Sequence, residues 1–188
     1  IDDLDQCHVR EVLVGGKVVA AKGVSTIRPA PISLPPELVG SLTLGLVITP
    51  EVFKISAPSA TPKVRVMELV NQTITAERLI EFNAPSGFVE ANLYDDLLKV
   101  AMFDRHGRTK KVAFGFLKGF GAKVGAVGLT TNLDENTLMV VGSDDRDMAL
   151  CANALLEAGG GMAIVDGGQV LEKIEFPFDD LRVESCHE

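Results

Sequence analysis

"GFLKGFGAKVGAVG", residues 115–128, carries five glycines in fourteen positions, with Phe116, Lys118, Phe120 and Lys123 between them. Such a run fits two architectures. One is a strand–loop–helix unit that wraps a phosphate in backbone amides; the other is a strand that leaves a sheet through a tight turn. Spacing rejects the first, because no G-x-x-x-x-G-K-[ST] can be laid over it. Gly119, Gly121 and Gly125 give G-x-G-x-x-x-G, one residue too long for a dinucleotide fingerprint, and no long helix follows at once. The stretch therefore reads as a strand ending in a bulged turn, where positive φ or close backbone approach requires glycine. A ligand-facing loop is the alternative.

Outward from this stretch the chain reads mainly as strands. "LLKVAMFDRHG", residues 97–107, and "KKVAFGFLKGFG", residues 110–121, pair across a turn at Gly107-Arg108-Thr109. Downstream, apolar runs at 126–131 and 138–142 flank a polar loop. "SDDRDMALCANALLEAGGG", residues 143–161, predicts a helix. Ser143 or Asp144 caps it, and Asp145 and Asp147 sit in its positive first turn. Met148, Cys151, Ala152, Leu155 and Leu156 repeat at helical spacing, and Gly159–Gly161 stop it. "MAIVDGGQVLEKIEF" then reads as a hairpin turning at Asp166-Gly167-Gly168. Upstream, Phe53–Ser56 and Val64–Val70 predict strands, and residues 74–84 fit either a strand or a short helix.

The N-terminal part differs in character. "CHVREVLVGGKVVAAKG", residues 7–23, predicts a hairpin about Gly15-Gly16. "IRPAPISLPPEL", residues 27–38, holds four prolines in twelve residues and reads as an extended linker. The expected organisation is a β-hairpin over 1–28, a Pro-rich linker over 29–40 and a domain over 41–188. The fold class is α+β: a layered, mostly antiparallel or mixed sheet with one or two packed helices, preceded by the hairpin.

Composition narrows the partners. The 188 residues carry a formal charge of −8, and the longest basic run, "RHGRTKK" at 105–111, is short. That balance argues against nucleic acid and against an anionic membrane surface. "SLTLGLVIT", residues 41–49, is the longest membrane-span candidate and is far shorter than the roughly 18 residues needed. Cys7, Cys151 and Cys186 form no zinc or redox motif and predict reduced thiols in a cytoplasmic protein. The opening "IDDLDQ" has neither a starting Met nor signal-peptide character, which predicts a processed product or a piece of a longer chain.

The chemistry is sparse. His8, His106 and His187 are the three histidines, and no H-x-H or H-E-x-x-H pair occurs, so no metal ligand is assigned. His106 ends a strand beside Asp104 and Arg105; its plainer reading is a surface turn. The loop "TTNLDENT", residues 130–137, offers Asn132, Asp134, Glu135 and Asn136 as partners for a purine or pyrimidine edge, or simply joins two strands. The carboxylates at 2–5, 95–96, 144–147 and 179–180 are explained by the helix dipole or by solvation. No catalytic residue is assigned.

A resemblance adds to this reading. Arg105-His106-Gly107, Gly115-Phe116 with Gly119-Phe120-Gly121, Gly125-Ala126, Asp145 with Asp147-Met148-Ala149, and Gly159–Gly161 occur in order. Together, over roughly residues 50–178, they resemble the C-terminal domain of the bacterial and archaeal adenine deaminases. The segment "DDLDQCHVREVLVGGKVVAAKG" is similar to the point where an amidohydrolase barrel has ended and the chain returns to a small β-sandwich. The resemblance implies a metal-binding barrel upstream that is absent here. It implies hydrolytic removal of ammonia from adenine by a hydroxide activated on Mn or Fe, with the metal in that barrel and none bound by this segment. It implies as partners the barrel of the same protein, a purine-like small molecule and further copies in a homo-oligomer.

The candidate substrate-binding residues are His106, Asp134 and Asn136. One departure bears on them. The family pattern near V-A-H-D-S-H-N is replaced here by Asn132-Leu133-Asp134-Glu135-Asn136-Thr137, so Leu133 and Asn136 stand where histidines are expected. Three readings compete. The chain is the C-terminal part of an adenine deaminase-like enzyme, inactive alone. It is a non-catalytic binding or oligomerisation module of a relative with altered substrate. Or it is an independent small-molecule enzyme using His106 and Asp134.

Overall fold

The computed structural model describes residues 5–6, 8–28, 42–132 and 137–176. The chain divides into two compact units, 1–34 and 35–188. The first holds an antiparallel three-stranded sheet: β1 (Glu11–Val14), β2 (Lys17–Ala21) and β3 (Val24–Ser25). Gly15 and Gly16, at φ of 56° and 76°, make the β1–β2 turn as the sequence predicts. The third strand is an addition, two residues long and too short to leave a pattern. The Pro-rich linker lies outside the described residues.

The second unit is built on strands β4 (Ile55–Ser56), β5 (Lys63–Leu69), β6 (Thr75–Glu81), β7 (Phe88–Val89), β8 (Leu97–Phe103), β9 (Val112–Lys118), β10 (Ala126–Leu129) and β11 (Leu138–Gly142). Helix α1 (Asp145–Ala158) follows, then β12 (Gly161–Asp166) and β13 (Gln169–Glu175). Eight of these strands form one sheet, ordered β13-β12-β10-β11-β8-β9-β5-β6; β4 and β7 pair separately. Every neighbour in the large sheet is antiparallel except β5 and β9, which run parallel. The α+β reading holds, with one helix among the described residues.

Three local expectations are sharpened. Within residues 74–84, Thr75–Glu81 resolve as strand, because β6 zips onto β5 from Lys63↔Glu81 to Leu69↔Thr75. The strand expected at Phe53–Ser56 is cut back to Ile55–Ser56. Pro50–Phe53 instead forms a 3₁₀ turn, with proline where its missing N–H costs nothing. The glycine stretch does end a strand, but without a bulge: β8 and β9 pair in unbroken register from Leu97↔Lys118 to Phe103↔Val112. The chain turns after it through Gly119 and Gly121, both at positive φ.

Helix α1 begins where the sequence placed it. The Asp144 carboxylate caps it by accepting from the backbone of Arg146 and Asp147, and Gly159, left-handed at φ 78°, ends it. Its apolar stripe of Met148, Cys151, Ala152 and Leu155 packs on one face of the sheet. Residues 42–53 join that layer, and Phe53 meets Phe103 edge-to-face with centroids 5.9 Å apart. Val66, Phe82, Val89, Leu97 and Phe116 extend the core towards β5. The opposite face carries Leu98, Val100 and Val141, packed by Leu117, Ala122 and Met139.

Candidate functional site

Antiparallel register gives the sheet two functional ends. Phe103, the last residue of β8, pairs with Leu138, the first of β11. The turn bearing His106 and the β10–β11 connection therefore emerge side by side at one end. At that end β8 passes into an anchored turn. The Asp104 carboxylate accepts from the backbone of His106 (3.2 Å) and from the backbone (2.7 Å) and hydroxyl (2.9 Å) of Thr109. Those donors, Thr109's first, hold Asp104 below the usual carboxylate range.

Arg105 is buried, and its carbonyl accepts from Thr43 N–H at 3.0 Å. Gly107 sits at φ 60°, and an added Cβ would lie 2.7 Å from the Leu44 carbonyl carbon. No other residue type fits there. Every neighbour of His106 is thus tied down, while its own imidazole side is exposed.

Asp134 and Asn136 lie outside the described residues, but the neck of their loop is defined. Asn132 donates through Nδ2 to Thr137 Oγ1 (3.0 Å) and accepts from Thr137 N–H (2.8 Å). Thr130 is fully buried and exchanges hydrogen bonds with Gly161, its Oγ1 accepting from Gly161 N–H at 2.9 Å. The loop that holds two of the three candidate residues is therefore closed at its base and anchored into β12.

The other end of the sheet answers the question posed by the glycine stretch. A cleft of about 760 Å³ opens there, lined by Asn92, Tyr94, Lys123, Gly125, Asp144 and Asp147 among others. The glycine amides around it already have acceptors. Gly121 N–H donates to the Asp96 carboxylate (3.0 Å), and Gly125 N–H to Asp166 (2.9 Å). Gly167 and Gly168 donate to Asp147 at 2.9 and 2.7 Å. Carboxylates fill the positions a phosphate would take and bring the charge that repels one. This end is stitched, and it lies about seven residues of strand, roughly 20 Å, from His106.

The acidic motif at the start of α1 also has specific partners, beyond the helix dipole that sequence reading credited. Asp147 is buried and ties α1 to the β12–β13 turn. Asp145 accepts from Lys99 Nζ at 2.7 Å; burial pushes its carboxyl upward against the pull of that ammonium. Lys99 is 1% exposed and also donates to Glu90 Oε2 and to the Phe53 carbonyl, each at 3.3 Å. Three protons meet three acceptors. The signal for this residue was a lone lysine inside the apolar run "LLKVAMF".

Comparison with known proteins now adds the family. Residues 72–179 match the family described as adenine deaminase C-terminal domain. The chain belongs to that family. Over 183 residues, 96% of this chain, it is 38% identical to an adenine deaminase of Clostridium botulinum (strain Langeland). It is 37% identical over 184 residues to an adenine deaminase of Moorella thermoacetica and 34% over 186 residues to one of Brucella melitensis. The chain spans only 31%, 31% and 30% of these relatives, a little under a third of each.

As an adenine deaminase C-terminal domain, the chain shows what the motifs that carried the resemblance do here. The glycine of R-H-G fits under Leu44, the two acids of D-x-D-M-A bind Lys99 and the β12–β13 turn, and the glycine triplet ends α1. Among the described residues, no three His, Cys, Asp or Glu side chains converge as metal ligands do. No described helix is long and apolar enough to cross a membrane.

Proposed function

We propose that this chain is the C-terminal portion of a cytoplasmic enzyme that hydrolyses adenine to hypoxanthine and ammonia, and that it does not catalyse the reaction by itself. The carrying observation is the match across 96% of the chain to proteins named adenine deaminase, of which it spans a little under a third. The Mn or Fe of the reaction belongs to an amidohydrolase barrel in the remaining two thirds, and no step runs through the residues described here. The chain's contribution is substrate binding. His106 presents its imidazole from a turn held on all sides, and Asp134 and Asn136 belong to the loop that leaves the same end of the sheet. Purine edges offer ring nitrogens and an amino group, which such side chains recognise. In this proposal the intact enzyme serves purine metabolism and assembles as a homo-oligomer.

The test is ammonia and hypoxanthine release from adenine by the intact gene product, loaded with Mn, beside the 188-residue chain alone. The intact protein turns over and the chain does not. His106→Ala in the intact protein lowers kcat/KM about 10- to 100-fold, the range of one or two lost hydrogen bonds, without shifting Tm. An unchanged kcat/KM removes His106 from the site.

A second reading has its own support. Leu133 and Asn136 occupy the positions where the resemblance implies histidines. If the domain serves a relative with another substrate, or only binds and assembles, the Mn-loaded intact protein yields no hypoxanthine from adenine.

A further inference from the structure

The sheet buries one face under α1 and residues 42–53, yet its other face is also apolar. Read across strands by register, Ile174, Met162, Leu129, Met139, Met102 and Ala113 form one row over β13, β12, β10, β11, β8 and β9. The next row starts at Glu172 on β13 and then runs through Ile164, Val127, Val141 and Val100 to Gly115 without another polar side chain. Antiparallel sheets with one face in water alternate apolar-in with polar-out. Here β10 and β11 are apolar on both faces, the pattern of strands covered on both sides. Among the described elements, no helix or second sheet packs on these rows; α1 lies wholly on the first face. The face is most open towards the β12–β13 edge, where Met162 and Ile174 remain 41% and 49% exposed; Met102 and Met139 are half-buried, and Val100 and Val141 are buried. A contiguous apolar face of this kind marks an interaction surface.

We infer that this face is the docking surface for the part of the parent protein that precedes the chain in its relatives. The inference rests on the proposed function and deepens it by naming the contact. Length supports this occupant, since about two thirds of each relative lies outside the chain and the matched family is a C-terminal domain. Linkage supports it too. A covalently tethered partner meets the face at millimolar effective concentration, so a modest apolar area suffices. A second copy is the weaker occupant, because it would bring another −8 charge against the first.

The methionines supply the readout. Of the five in the chain, Met67, Met102, Met139 and Met162 lie on this face by register, and Met148, on the sheet-facing side of α1, is fully buried. The chain alone and the intact gene product are treated with dilute hydrogen peroxide at micromolar protein and low salt, and sulfoxide is mapped by peptide mass spectrometry. In the chain alone, Met102, Met139 and Met162 oxidise at least 10-fold faster than Met148. In the intact product they are protected at least 5-fold, and Ile164→Lys restores their oxidation there while Met148 stays protected.

Equal oxidation in an intact product of the relatives' length overturns this inference and leaves the proposed function standing. An intact product no longer than this chain overturns the proposed function itself. Protection already present in the dilute chain assigns the face to the chain's own segments, and protection that grows with protein concentration assigns it to a second copy; either overturns the inference.

Discussion

Burying Lys99 takes an ammonium out of water, a loss of several kcal/mol that only close partners offset. Asp145, Glu90 and the Phe53 carbonyl are those partners, and they come from α1, the loop before β8 and the 3₁₀ turn. Lys99→Met should therefore cost about 2–4 kcal/mol, below the range for a fully buried pair because Asp145 keeps some contact with water. Adding Asp145→Asn should recover part of that loss. Urea denaturation of the single and double variants checks both, and a double variant no more stable than Lys99→Met would deny the pairing. Cys151 is a quieter case. Burial first, and the nearby Asp147 charge second, push its thiol up to about 12. Iodoacetamide at pH 8 should leave the Cys151 peptide unmodified in the native chain and alkylate it in urea; rapid native labelling would contradict the packing of α1. Neither behaviour was legible in the sequence. Lys99 and Asp145 lie 46 residues apart, and only the fold makes them neighbours. His106 was legible as a strand end, because Asp104 and Gly107 on either side are turn residues whatever the partner strand.

At the scale of elements, local chemistry wrote the helix and the hairpins, and pairing wrote the rest. Asp144 and Gly159 bracket α1 with a cap and a stop that act within a few residues, so its limits could be read directly. "ITAERLIEFNA" could not be read that way, since its alternation and its helical spacing are equally good. Seven pairs with β5 decide for strand. The glycine stretch needed the same tertiary information. Gly125 is glycine because the Asp147 carboxylate comes down on it: an added Cβ would lie 1.8 Å from Oδ2. Asp147 cannot retreat without releasing Gly167 and Gly168. Gly125→Ala should therefore destabilise the chain by about 2–3 kcal/mol, the upper part of the overpacking range. That corresponds to a fall in Tm of roughly 4–12 °C for a domain of this size. Gly115→Ala is the control. Its Cβ would meet only the flexible Met67 methyl, at 3.3 Å, and should cost less than about 1 kcal/mol. Equal losses at the two glycines would show that the contact with Asp147 is not what fixes Gly125.

For the whole molecule, two long-range facts compete: a net charge of −8 and an apolar sheet face. Charge repulsion between two copies is screened over about 10 Å at 0.1 M salt and about 3 Å at 1 M. Hydrophobic association is not weakened by that screening. The 188-residue chain should then sediment as a monomer at micromolar concentration and low salt, and should form larger species as sodium chloride rises towards 1 M. Ile164→Lys places a charge on the open β12 part of the face and should abolish the shift. In an intact protein whose preceding segment covers the face, the same salt series should leave the sedimentation coefficient unchanged. If the chain alone stays monomeric throughout, the rows of β10, β11 and β12 are not open to solvent. The two-sided apolar pattern of these strands would then reflect cover supplied within the chain.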